Sequence, residues 1–525
     1  MKSYTKHIKS VCQVGEKTID NRKPIYRSSA IFPVLHNQKF SSQILFLGYW
    51  LLKRQLKEIG LLTTLRSASG EILARRNMTI DCVKAFAINL DELLDENVTD
   101  FKGSIELEVF SSRDMIFPYP AFVVTYFNDD FSTAVHTTGR VYNDVEDLTN
   151  NADRKVAESG FDIYADDSLS PFVSFVNGPI DVADLSMGYT LTNYKGVSKT
   201  GSFSLPSLGK YETVFLHFDE YIDGLADFLG GQPGSIKVNH DFTSFFPRFI
   251  AGNFQKNPDI ISITHTYYDC SECAEPEDYW TRNQDGHHHS ATIFPVFMQD
   301  DFYTDIALYP IFSPSSYYIS FEFYNLEGQE VGRIDNYKLI ESNLQEYQLL
   351  KLREILKDYS WKDEVSSARI ITNFTDNILP SRLKLGLNIG IANQGAKLPC
   401  NICFAPQIGN PLIDKKLGTF KWSPIINKGN SVMTFHNSPT HKGKGYKDAN
   451  VTLKFFRESD EEFLEQKITL PSFGQKTIDL SKEDEIRTFL NGESGWVTAT
   501  SDSPYLVGWY FDFHESGGVA GDHSF

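Results

Sequence analysis

The sequence says nearly the same thing twice. "SSAIFPV" at 28–34 returns as "SATIFPV" at 290–296, an offset of 262 in a chain of 525 residues. "LDELL" at 90–94 and "LREIL" at 352–356 keep that spacing, and so do "DMIFP" at 114–118 and "DNILP" at 376–380. Three echoes at one offset mark a tandem duplication, so whatever one half folds into, the other half must fold into as well. A half-period is also legible. "KGSIEL" at 102–107 is answered 131 positions later by "PGSIKV" at 233–238, and "LPSLG" at 205–209 is answered by "LPSFG" at 470–474. These echoes divide the chain into a basic arm at 1–27 and four related modules: A at 28–150, B at 151–289, A' at 290–408 and B' at 409–525.

Between the echoes the chain reads as short alternating runs, such as "SIELEVF" at 104–110 and "NVTLKFF" at 450–456, bounded by Gly, Asn, Asp or Pro. That is the pattern of half-buried strands joined by turns. Each module carries one short helical piece: "LDELL", "FDEYIDGLADFL", "LREILKDY" and "SKEDEIRTFL". In the last, Ser481 stands three residues before Asp484, an N-cap pattern. Strand-rich units of about 130 residues predict an all-β chain of tandem antiparallel β-sandwich modules, each with a short helix in a connection. Aromatic runs such as "PSSYYISFEFYN" at 314–325 are expected to fill cores and module interfaces.

The closing segments of the modules, "ITLPSFGQKTIDL" and then "GWVTATSDSPYLVGWYF" in B', resemble the β-sandwich domain of the sensory rhodopsin transducer-like proteins. The resemblance lies in a Pro/Gly turn and short connection leading to a strand, and in a Ser and Pro that precede the last strand. It implies a binding or coupling role by analogy and carries over no functional residue.

Composition narrows the partners. With 41% apolar and 14% aromatic residues, the chain is far from the profile of a disordered protein. A formal charge of −18, with no basic stripe through the body, argues against nucleic acid as a partner. The N-terminus lacks a signal peptide's apolar region, and the greasiest run, "ILFLGYWLL" at 44–52, is too short to span a bilayer. The expectation is a cytoplasmic protein without a membrane span, export without a cleaved leader being the alternative. Six cysteines do not make a disulfide scaffold.

Four of those six cysteines form two CxxC pairs, Cys270 with Cys273 and Cys400 with Cys403, at corresponding ends of successive modules. Two thiolate pairs suit a tetrahedral Zn²⁺ or a single iron. They can share one ion only if the module ends meet, because 126 residues separate Cys273 from Cys400. Buried packing and redox chemistry are the other readings, and thiols three apart on an extended strand converge only where the strand turns. A mixed site is the most compact arrangement, with Cys270 and Cys273 joined by His287 and His289 of "DGHHHS".

A second constellation surrounds the first. His265 precedes the B pair, and the chain ends in "WYFDFHESGGVAGDHSF", which supplies Asp512, His514, Asp522 and His523. Aligning "TYYD" at 266–269 with "WYFD" at 509–512 pairs Asp269 with Asp512 and His289 with His523. Module A contributes Asn128 and His136 in the same outline. Imidazole with carboxylate suits zinc, manganese or iron, or an acid/base pair; solvated loop tips are the plain alternative.

No HExxH, GxSxG, P-loop or dinucleotide GxGxxG is present. Two classes of function follow. One is a multi-module binding or assembly protein that meets a protein partner, a glycan or another copy of itself. The other is a metal-dependent enzyme or metal-responsive sensor built at the module ends. Repetition favours the first, since repeating a domain extends a surface more readily than it builds one cleft.

Overall fold

The computed structural model describes residues 24–115, 119–136, 139–141, 158–183, 185–240, 242, 245–246, 249–267, 280–282, 289–310, 315–342, 346–375, 378–380, 383–408, 417–439 and 447–525. Residues 1–23 of the basic arm lie outside that set. Among the described residues the sandwich of module A is built from eight strands: β1 (Arg27–His36), β2 (Ser41–Leu47), β3 (Ile59–Ser67), β4 (Ile72–Ile80), β5 (Ala85–Asn89), β6 (Phe101–Phe110), β7 (Phe122–Phe127) and β8 (Ser132–His136). They pair into two antiparallel sheets, ordered β1-β6-β3-β4 and β5-β2-β7-β8. The same two orders recur in the other three modules, with one addition in A', where Gln407–Ile408 pairs as a fifth strand on the outer side of the first strand. Those modules run from Glu158–Ile163 to Ile260–His265, from His289–Pro295 to Cys400–Phe404, and from Thr419–Ile425 to Val519–His523.

The echoes fall at equivalent places. "SSAIFPV" and "SATIFPV" are first strands, "KGSIEL" and "PGSIKV" belong to sixth strands, and "LPSLG" and "LPSFG" turn the chain from fourth strand to fifth. Alternation explains the pairing of faces: on β6, Ile105, Leu107 and Val109 point between the sheets and are fully buried. "PSSYYISFEFYN" divides as its pattern implies. Tyr317, Ile319, Phe321 and Phe323 enter the core of A', while Tyr324 stacks on Phe473 of B' at 4.7 Å.

Each helical piece closes the end of its sandwich with two apolar side chains: Leu90 and Leu93, Leu225 and Leu229, Leu352 and Leu356, Ile486 and Leu490, all buried. Ser481 does not cap the last helix, contrary to the sequence pattern. Its hydroxyl donates to the Asp479 carboxylate at 2.6 Å, and Glu483 occupies the cap position without a side-chain bond. A nearer acceptor wins the hydroxyl. Among the described residues no helix is long and apolar enough to cross a membrane.

The four sandwiches close into a ring. In every module the hairpin between third and fourth strands reaches the next module. Ala68 O accepts from Thr213 N at 2.8 Å (A to B), and Leu326 O accepts from Gln475 N at 2.9 Å (A' to B'). At the B tip, Gly196 lies against the Glu346 side chain of A'. B' returns to A, where Glu458 O accepts from Lys84 Nζ at 2.8 Å. Three of the tips carry a glycine at positive φ, Gly70 at 86°, Gly196 at 76° and Gly328 at 79°. A Cβ at Gly70 would meet Lys210 O and one at Gly328 would meet Ser472 O, so there the residue serves both the turn and the close approach. A head-to-tail interface that closes after four steps makes a ring rather than an open stack.

Candidate functional site

The last strand of each module lies on the inner edge of its sandwich, and these four strands meet at the ring's centre. Ile263 N donates to Thr133 Oγ1 at 3.0 Å, joining B to A. Ser262 Oγ donates to Pro399 O at 2.6 Å, joining B to A'. Cys400 Sγ lies 3.5 Å from Gly521 O, joining A' to B', and His136 N donates to Asp522 Oδ2 at 3.2 Å, joining A to B'. The turns that precede these strands also touch: Ala396 N donates to Ser516 O at 2.9 Å, and Ser516 Oγ to Asp130 O at 2.5 Å. The four strands therefore leave their turns together and end together at the opposite pole.

Three of them end in histidine. His136 closes β8, His265 closes the last strand of B, and His523 closes the last strand of B' beside Asp522. His136 Nδ1 stands 2.7 Å from Asp522 Oδ2, and His523 Nε2 3.9 Å from Asp522 Oδ1. The ligating atoms of His136, Asp522 and His523 all lie within 4.8 Å of one another. The His265 ring meets the His136 ring edge-on, with centroids 4.7 Å apart, and the His136 and His523 rings are 4.9 Å apart. Burial acts to raise the Asp522 carboxyl, but His136 and His523 outweigh it and hold the group well below the usual carboxylate range. For His523, burial prevails over the attraction of Asp522 and pushes the imidazole down to about 4. At neutral pH the site thus presents an ionised carboxylate beside a neutral imidazole, the protonation states that a metal ion requires.

Of the residues singled out in the sequence, the structure brings together His136, His265, Asp522 and His523. Asp512 and His514 belong elsewhere. Asp512 accepts from Ser132 Oγ and Gly429 N, each at 2.8 Å, and from Ser431 Oγ at 2.6 Å, with His514 Nε2 at 3.3 Å. With its lone pairs so occupied, this buried carboxylate fastens A to B'. Ser132 is four residues from His136 along β8, which places the knot about 13 Å from the histidines.

Cys400 and Cys403 do not form a knuckle. They lie on one regular strand whose pairing with Leu385–Ile391 shows no bulge, so thiols three residues apart face opposite ways. Cys400 joins the core of A', whereas Cys403 packs with Tyr267, Tyr309 and Tyr347. Burial pushes the Cys400 thiol far up, which makes it a poor ligand or nucleophile. Cys270, Cys273 and His287 lie outside the described residues, as does the His289 side chain.

The alignment of "TYYD" with "WYFD" is displaced by a hairpin. "WYFD" sits in the seventh strand of B', Leu506–Phe513, while "TYYD" begins after the eighth strand of B, Ile260–His265. Aromatic strand residues recur too often for a four-residue match to fix the register. A better guide was available in "STAVH" and "VAGDH", which end two equivalent strands in His136 and His523.

No protein-family model and no curated protein matches this chain. Among solved structures, a calcium-binding mutant of Bacteroides uniformis beta-glucuronidase 2 is 10% identical with a TM-score of 0.13, over 48% of this chain and 27% of that one. A beta-glucuronidase from glycoside hydrolase family 2 is 8% identical, TM-score 0.11, over 48% and 24%. A tetra-tandem repeat in the extending region of a large adhesion protein is 10% identical, TM-score 0.10, over 89% and 91%. The chain spans about a quarter of the length of the glucuronidases it matches. Likenesses of this size carry no argument, and the fold rests on the chain's own strands.

Proposed function

We propose that the protein is a multivalent binding or assembly scaffold, which displays four related outward hairpins to a protein partner, a glycan or another copy of itself. The observation that carries this reading is the position of the fourth strands. β4, Ser198–Ser204, Glu330–Ile340 and Phe463–Leu470 each form the outer edge of their sheet, and no other strand of the described residues pairs with that edge. Ile72, Leu73, Met78, Tyr337, Leu339 and Phe463 stand exposed along them. Arg75, Arg76, Lys199, Arg333, Lys338 and Lys467 lie on the same strands. Charges there oppose indiscriminate strand pairing, so recognition would run through side chains. Four copies around a ring convert a weak contact into avidity.

The test joins sedimentation velocity over a range of protein concentrations with binding to a glycan array and to candidate protein partners. Replacing Arg75, Arg76 and Met78 with Ala, then adding Tyr337→Ala and Lys338→Ala, is expected to weaken binding in steps of tenfold or more, on the order of the avidity lost per site. The His523→Ala variant is expected to bind as the wild type does. A second reading, a metal-dependent enzyme or sensor, is favoured by the histidines at the ring's centre. Turnover and bound metal lost together in Asp522→Asn and His523→Ala would replace the scaffold with it.

A further inference from the structure

We propose that His136, His265, Asp522 and His523 bind one divalent transition-metal ion, zinc by the chemistry of the donors, and that this ion fastens the last module of the ring to the first two. This goes beyond the scaffold reading and stands without it.

The donors come from three modules, so the site exists only in the closed ring. His136 ends the last strand of A, His265 that of B, and Asp522 and His523 that of B'. The ligating atoms of three of them already lie within 4.8 Å of one another, and the fourth ring touches the first. Two of the imidazoles have the tautomer that a ligand bound through Nε2 needs. His265 Nδ1 lies 3.0 Å from Thr266 O, and His523 Nδ1 lies 3.1 Å from Ser524 O. A carbonyl only accepts, so each Nδ1 must carry the proton, and in each neutral ring Nε2 then holds the lone pair. A backbone carbonyl on the far nitrogen is the usual support of a metal-bound histidine. His136 differs, since its Nδ1 bonds Asp522, and carboxylate and ring would turn together onto the ion.

Three imidazoles and one carboxylate decide the class of ion. Calcium and magnesium take oxygen donors almost throughout, whereas nitrogen-rich sets with one carboxylate suit zinc, cobalt and nickel. Four protein donors in a tetrahedron make a structural rather than a catalytic zinc site. The ion has a way in, because the His523 side chain is 37% exposed and that of His136 13%.

The experiment uses the full chain, stripped with chelator and desalted, then titrated with Zn²⁺ by calorimetry and with Co²⁺ by visible absorption. One Zn²⁺ per chain is expected at this site, with the intense Co²⁺ bands of tetrahedral coordination and a higher melting temperature. In His523→Ala, a change at a partly exposed position, affinity falls about 100-fold or more and the metal-dependent rise in melting temperature disappears. His265→Ala shows the same losses to a smaller degree. The Cys270→Ser, Cys273→Ser double variant keeps this ion. If that variant also loses an ion while His523→Ala loses another, two sites exist and the proposal holds for the second. Absence of bound zinc in the wild type overturns the proposal, as does an ion retained in His523→Ala but lost in the double cysteine variant.

Discussion

Asp162 shows how much a single buried charge can report about an interface. It lies on the first strand of B where that module meets A', 2% exposed, and accepts from Asn388 Nδ2 at 2.9 Å and Tyr347 OH at 3.3 Å. Burial pushes its carboxyl up to about 6, against the pull of the Asn388, Tyr309 and Tyr347 side chains. A folded value above the unfolded one means that the fold prefers the protonated acid. The stability this preference contributes is complete below about pH 4 and lost as pH rises through about 6. His436, fully buried in B', runs the other way: burial pushes its imidazole down to about 3, so stability falls as pH drops below about 6.5. Melting temperature alone would mix the two effects. The difference between wild type and Asp162→Asn isolates the carboxyl, and from pH 5 to pH 8 the wild type should lose roughly 1–2 kcal/mol relative to the variant in paired denaturant melts. A difference that stays level, or moves the opposite way, would mean that Asp162 is ionised in the fold throughout.

At the scale of elements, the hairpin tips carry the ring, and two glycines separate the cost of a turn from the cost of a contact. Gly224 and Gly328 both sit at positive φ, 69° and 79°, but a Cβ at Gly224 would meet nothing within 4 Å while one at Gly328 would run into Ser472 O and Gly474 N of B'. Gly224→Ala should cost about 1 kcal/mol, the backbone penalty alone. Gly328→Ala should cost about 3 kcal/mol, because the tip must also withdraw from its neighbour, and hydrogen exchange at Gln475 N should rise only in the second variant. Equal costs would mean that the tip contact contributes little. These same elements mark how far the sequence could be read. Strands, short helices and the four-fold repetition were legible because burial on alternate positions and paired apolar residues such as Leu352 and Leu356 repeat with the module. The ring was not, because the tip contacts share no one side-chain chemistry: backbone bonds at Ala68 and Leu326, a glutamate beside Gly196, a lysine at Lys84. For the candidate site, His265, Asp522 and His523 stood out as residue types, but which of them meet depends on the register of four strands far apart in the chain. Cys400 and Cys403 matched a metal spacing that a straight strand cannot use.

Closure governs the whole molecule. In a linear stack of repeats each module answers only to its neighbours in sequence, and the two ends are independent. Here the ends share a core: Tyr49 of A stacks on Trp422 of B' at 4.9 Å, and Lys53 lies over the same indole at 4.2 Å. Asp512 of B' accepts from Ser132 of A in the same interface. A ring has no privileged starting point, which makes circular permutation a decisive measurement. A chain that runs from residue 289 to 525, then through a flexible Gly/Ser linker into residues 24–288, severs the B to A' connection and covalently joins B' to A. In a closed ring all four interfaces remain, the Asp162 bonds to Asn388 and Tyr347 included, and the linker changes only a loop-closure term of about 1 kcal/mol. The permutant should therefore unfold in a single transition by calorimetry, within about 5 °C of the wild type. A stack that was open between B' and A would instead lose the B to A' interface, since nothing would hold those modules together once they stood at opposite ends. The permutant would then melt in two steps, with the buried surfaces around Tyr309 and Tyr347 exposed in the first.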